Sequence, residues 1–171
     1  PWFRDLYDYA LQSFTVNRSI GEALVELNQR IYQDFVYNAQ ATEIHTPLSE
    51  IFTQRAGVCQ DFSHIMVGCL RAIGLPAQYV SGYLLTKPPE GQPKLRGADA
   101  SHAWVSAYCP GAAGGWLELD PTNQAIADLG YVRLAYGRDF GDVSPLRGLI
   151  RGGGAHSLKI EVTSQEIKLT W

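Results

Sequence analysis

The chain has 171 residues, a formal net charge of −3, 46% hydrophobic residues and 18% charged ones. That length accommodates one domain with a real core, and the composition excludes a disordered chain. The charge balance gives no electrostatic reason to expect nucleic acid or an anionic membrane as partner, and no apolar run approaches the roughly 20 residues that span a bilayer.

No internal repeat or low-complexity linker divides the sequence, so residues 1–171 are expected to form a single domain. No leader-like segment is visible, and the chain opens on Pro1 rather than an initiator Met, which leads to the expectation of a fragment or processed product. Three cysteines without a C-x-x-C cannot all pair internally. A reducing compartment, the cytoplasm, follows as the expected location.

In chain order, residues near Asp5 to Phe14 place Leu6, Tyr9, Ala10 and Phe14 at helical spacing. A second helix is announced by a capping box of Ser19 and Glu22, with Ile20, Leu24, Leu27, Ile31 and Phe35 as its apolar stripe. Thr46-Pro47 opens a short helix through about Arg55. The segment RAGVCQDFSHIMVGCLRAIGLP carries the clearest helix, with Phe62, Ile65, Met66, Cys69, Leu70 and Ile73 on one face. Gly74 is placed to cap it and Pro76 to prevent its continuation.

Beyond Pro76 the period changes to two. AQYVSGYLL, HAWVSAY, GWLELD, YVRLAYG and HSLKIEV read as strands between Gly- and Pro-rich turns. Helices followed by strands predict an α+β domain, with a mostly antiparallel sheet packed on the cysteine-bearing helix. The long polar loop from Thr86 to Ala100 precedes His102 directly, a position where such loops carry function.

The three cysteines differ in setting. Cys69 lies on the apolar stripe and Cys109 at a strand end beside Pro110, so both are expected to be core. Cys59 falls at a helix start, where unpaired N–H groups and the helix dipole favour a thiolate. The same N–H groups can stabilise the oxyanion formed when that thiolate attacks a carbonyl.

A nucleophilic cysteine needs a base. His64 is five residues along the helix from Cys59, about 140° around its axis, and is expected to be a solvated partner of Asp61 or Arg71. His45 and His156 have no carboxylate in a telling position. His102 does better, because SHAWVSAYCPGAAGGWLELDPTN reads as a hairpin. If Cys109 pairs with Gly115, His102 lies opposite Thr122, and Asp120 becomes its diagonal neighbour on the same face. A slip of one residue would separate them, so the pairing depends on the turn. Ala103, Val105 and Ala107 make the other face apolar, which predicts that His102 and Trp104 face the site. On spacing alone, an ordinary surface pair of His102 and Asp120 remains an alternative.

The blocks RAGVCQDFSHIMVGCLRAIGLPAQYVSGY, GADASHAWVSAY and GWLELDPTN, in this order, resemble the transglutaminase-like superfamily, in particular its bacterial cysteine-protease-like members. The tail GRDFGDVSPLRGLIRGGG is similar to the same group. The resemblance implies a papain-like core and a Cys-His-Asp triad, carried here by Cys59 as nucleophile, His102 as base and Asp120 as orienting carboxylate. It also implies that an N-terminal β-rich domain is missing, and a side-chain oxyanion donor for which Tyr37, Gln54, Gln60 and Trp104 are candidates.

The expected activity is acyl transfer at an amide or peptide carbonyl through a thioester, with hydrolysis favoured over transamidation to a primary amine. No cofactor is expected: no EF-hand spacing is present and GLIRGGG follows no strand-to-helix pattern. Arylamine acyl transfer, a non-catalytic peptide-binding module and a zinc site of Cys59, His102 and Asp120 are the competing readings. The last lacks the paired spacing of structural zinc sites. Oligomeric state has no signature in the sequence.

Overall fold

The computed structural model describes residues 2–85 and 101–144, with isolated positions 148, 151–152, 161–164 and 167 beyond them. The polar loop 86–100, His156 and most of the expected strand 156–162 lie outside the described residues.

The first half of the chain is helical, as its 3.6-residue periodicity requires. Helix α1 (Trp2–Leu11) buries Leu6, Tyr9 and Ala10. Helix α2 (Ile20–Asp34) begins at the expected capping box, where the Glu22 N–H donates to Ser19 Oγ and the Ser19 N–H to Glu22 Oε2. Leu24, Leu27 and Ile31 form its buried face. Ile20 departs from that stripe at 37% exposure. Helical side chains lean towards the N-terminus, so one at the first position overhangs the end rather than joining the face.

Strand β1 (Val36–Tyr37) pairs in parallel with β2 (Ala56–Gly57), and α3 (Leu48–Gln54) lies between them in sequence. Helix α4 (Cys59–Ala72) follows β2 after a single residue. Its C-terminus closes as a Schellman motif: Gly74 adopts φ +81°, its N–H bonds the Arg71 carbonyl, and the Leu75 N–H bonds that of Leu70.

The second half forms one sheet. Strands β3 (Ala77–Leu84), β4 (Ser101–Tyr108), β5 (Trp116–Asp120), β6 (Ala125–Ile126) and β7 (Tyr131–Gly137) run in the order β6-β5-β4-β3-β7, every neighbouring pair antiparallel. A short helix α5 (Phe140–Val143) packs at the end of β7. The core fills the space between α4 and one sheet face, with Ile65, Met66 and Cys69 meeting Ala77, Val105 and Ala107.

The β4–β5 hairpin takes the expected register. Val105 pairs with Leu119, Ala107 with Leu117 and Tyr108 with Trp116, and the Cys109 N–H donates to the Gly115 carbonyl at 2.9 Å. Gly114 and Gly115 both take positive φ (+72° and +77°) in the turn that sets this register, a conformation side chains resist. The sheet's two faces differ from expectation in one respect. Helix α4 covers the face of Ala103, Val105 and Ala107, so Trp104 is buried on the opposite side against Val80 and Tyr131.

Candidate active site

Cys59 is the first residue of α4 and is only partly buried. The approach to it is fixed by Asp61, whose side chain is buried at the third helical position. Asp61 Oδ2 accepts from the Val58 N–H at 2.9 Å and from Thr42 Oγ1 at 2.6 Å. That carboxylate satisfies a donor next to Cys59, ties the 42 loop to the helix start, and adds negative charge where the helix dipole favours it. Gly57 leaves room for it, since a Cβ there would sit 2.5 Å from Asp61 Oδ2.

His102 stands near the start of β4, at the end of the sheet, and so serves both faces. Its Nε2 lies 2.7 Å from Asp120 Oδ2. Its ring also lines, with Cys59, Gln60, Tyr79, Ser81 and Phe140, a cavity of about 220 Å³. With Nε2 engaged by Asp120, Nδ1 is the ring nitrogen left for Cys59. Burial opposes charge on this imidazole, but the Asp120 hydrogen bond, with the charges of Asp120 and Cys59, outweighs it and pushes its pKa up to about 9. The imidazolium is therefore the neutral-pH form.

Asp120 is fully buried and collects donors from several elements. Besides His102, Oδ2 accepts from Asn123 Nδ2 at 2.7 Å and Tyr131 Oη at 2.8 Å, while Oδ1 accepts the backbone N–H groups of Thr122 and Asn123. Burial works against its charge, yet the His102 hydrogen bond and charge, with those of Asn123 and Tyr131, hold the carboxyl below its ordinary value. The pair thus rests as an ion pair fixed in one orientation.

The other candidates separate by their partners. Gln54 is exposed and its amide donates to the carbonyls of Ala41 and Ala56. Trp104 does not face the cavity: it stacks on His102 from the far side and donates its indole N–H to Glu118 at 2.7 Å. Gln60 lines the cavity. Tyr37 pairs in register with Gly57, close enough that burial and the Cys59 charge together raise its phenol pKa. Its side chain is largely exposed.

His64 is half-buried rather than free in solvent. Its Nε2 accepts the Phe140 N–H at 3.1 Å and its ring packs on Tyr79, because the chain after β7 folds back over this face of α4. His45 is exposed. Cys69 and Cys109 are buried, and burial pushes the Cys69 thiol up to about 12. Among the described residues, no three His, Cys, Asp or Glu side chains converge as donors for a metal ion.

Sequence reasoning missed Asp61, Asn123 and Tyr131. Asp61 had a local signal, an acidic residue at the third position of a helix. Asn123 had a weaker one in the Asp-Pro-Thr-Asn turn. Tyr131 had none, since only the sheet order brings β7 near the end of β5.

A helix that presents a cysteine to an antiparallel sheet bearing a paired histidine and aspartate is the architecture of the papain-like transglutaminase core. The chain belongs to the transglutaminase-like superfamily, whose family model matches residues 9–121.

A protein of Mycobacterium tuberculosis (strain ATCC 25618 / H37Rv) is 46% identical over 153 residues, spanning 88% of this chain and 49% of its own length. A protein-glutamine gamma-glutamyltransferase of Pseudomonas aeruginosa is 39% identical over 131 residues, covering 75% of this chain but 19% of that protein. Among solved structures, a candidate cysteine protease from Cytophaga hutchinsonii superposes with a TM-score of 0.67 at 28% identity, over 83% of this chain and 45% of the other. The chain spans about half the length of the mycobacterial relatives it matches.

Proposed function

We propose that this chain is a cysteine-dependent acyl-transfer enzyme acting on amide or peptide carbonyls, with Cys59 as nucleophile, His102 as acid–base group and Asp120 as its orienting partner. The observation that carries the reading is His102, held at 2.7 Å by a buried Asp120 on one side and sharing a small cavity with Cys59 on the other. Its raised pKa, about 9, keeps the imidazole protonated at neutral pH and so able to supply the proton of the leaving group.

In this mechanism the Cys59 sulfur attacks the carbonyl carbon and the C=O electrons move to oxygen, where N–H groups at the start of α4 can meet the charge. The intermediate collapses to a thioester as His102 delivers its proton to the leaving amine. His102, now neutral, accepts a proton from the second nucleophile, which opens the thioester and returns the thiolate. Asp120 keeps the ring in the productive orientation and stabilises its charged form throughout.

Water as the second nucleophile gives hydrolysis of a peptide or amide, the leading reading, supported by the likeness to the Cytophaga structure. A primary amine would give transamidation instead, a second reading favoured by the 39% identity to a protein-glutamine gamma-glutamyltransferase. Turnover of peptide and glutamine-amide substrates, followed with and without an added primary amine, separates them. Amine incorporated into product at the expense of free acid would favour the second reading. Loss of all turnover in Cys59→Ala is expected in either case, and persistence of turnover there would refute both.

A further inference from the structure

Tyr79 belongs to β3, pairs across the register with Val105, and so shares the sheet face that α4 covers. Its side chain is 2% exposed, packed with Ala103 and Val143 and against Cys59. On its other flank the His64 ring lies 4.9 Å away, centroid to centroid. The residue lines the same cavity as Cys59 and His102. Its hydroxyl has no hydrogen-bond partner among the described residues. Tyr9 and Tyr131, by contrast, donate to Asp34 and Asp120. A phenol fixed by packing on the cavity wall beside a nucleophile, its hydroxyl unpartnered among the described residues, has the form of a donor kept for a transient acceptor.

We propose that the Tyr79 hydroxyl is the side-chain oxyanion donor, hydrogen-bonding the carbonyl oxygen as it gains charge during attack by Cys59. This rests on the acyl-transfer reading above and adds a residue that the sequence candidates did not include. Gln54 and Trp104 direct their donors elsewhere, and the exposed Tyr37 would compete with water for the same task. Gln60 is the remaining rival.

As the S–C bond forms, the π pair of the carbonyl moves to oxygen and Tyr79 donates to it without surrendering its proton. Burial and the charge of Cys59 and Asp61 hold its ionisation far above the ordinary phenol value, so the group stays a neutral donor at every working pH. On collapse the C=O re-forms, the bond to the leaving group breaks, and an amine leaves with the proton of His102.

The test is acylation by 4-nitrophenyl acetate, read as a burst of nitrophenolate, in the native protein, Cys59→Ala and Tyr79→Phe. Alkylation by iodoacetamide is measured in parallel, because it passes through no oxyanion. Tyr79→Phe keeps the ring and removes a hydroxyl without partners among the described residues, so its thermal midpoint should match the native one. Acylation should slow by roughly 10- to 1,000-fold, with KM little changed and the alkylation rate preserved. Wild-type acylation in Tyr79→Phe overturns the assignment and leaves the acyl-transfer reading standing. Equal losses in acylation and alkylation overturn it too, by placing the hydroxyl on the sulfur. No Cys59-dependent burst in the native protein would remove the acyl-transfer reading itself.

Discussion

Burial alone would keep His102 uncharged at neutral pH, yet Asp120 and Cys59 reverse that outcome and push its pKa up to about 9. Under the proposed mechanism the protonated imidazole supplies the leaving-group proton. The kcat/KM profile should therefore fall on an alkaline limb near pH 9, and Asp120→Asn should move that limb to lower pH. Asp120→Asn should also cut kcat by roughly 10²- to 10⁴-fold, since the wrong tautomer would be favoured. Tyr131→Phe removes one of the donors to Asp120 Oδ2 while leaving His102 in place. A fall in kcat of about tenfold or less is expected there, and a loss as large as that of Asp120→Asn would show that the phenol does more than support the carboxylate. Differential alkylation belongs to this scale as well. Iodoacetamide at pH 6 should label Cys59 well before the buried Cys69, and equal rates would argue against an activated thiolate.

At the scale of elements, the start of α4 is held by a device of four residues. Asp61 satisfies the Val58 N–H and the Thr42 hydroxyl, and Gly57 gives it space. Asp61→Ala leaves both donors unpaired and should destabilise the fold by about 1–3 kcal/mol in urea titrations. It should also slow Cys59 alkylation, because the helix start loses its anchor. Gly57→Ala forces a Cβ onto the same carboxylate and should cost a similar amount through strain. A native-like Cys59 rate in both variants would mean that the helix position is set by α4 packing alone.

Across the whole molecule, charge linkage gives a further prediction. The folded pKa of His102, about 9, exceeds its unfolded value of 6.5. Its contribution to stability is therefore complete below pH 6.5 and lost as pH rises through 9, by an amount on the order of 3 kcal/mol. The stability difference between the native protein and His102→Gln, measured in urea at several pH values, should shrink across that window. Asp120 works in the opposite sense, its contribution being lost as pH falls below the ordinary carboxylate range.

Much of this fold is legible in the residues, because its signals are local. The Ser19–Glu22 capping box, the 3.6-residue stripe of α4 with its Gly74 stop, and the period-two strands all depend on neighbours within a turn or a hairpin. The His102–Asp120 pairing is legible for the same reason, since one glycine turn fixes the β4–β5 register. Which face of the sheet α4 covers is a different matter. The alternation of Ala103 and Trp104 shows that two faces exist, but both are apolar enough to be buried, so Trp104 was expected on the wrong side. His64, Tyr79 and Tyr131 likewise acquire their surroundings from segments 11 to 76 residues away. Periodicity therefore determines the elements and the turn-borne pair. Only tertiary packing, driven by burial against partners distant in sequence, decides which side chains meet Cys59.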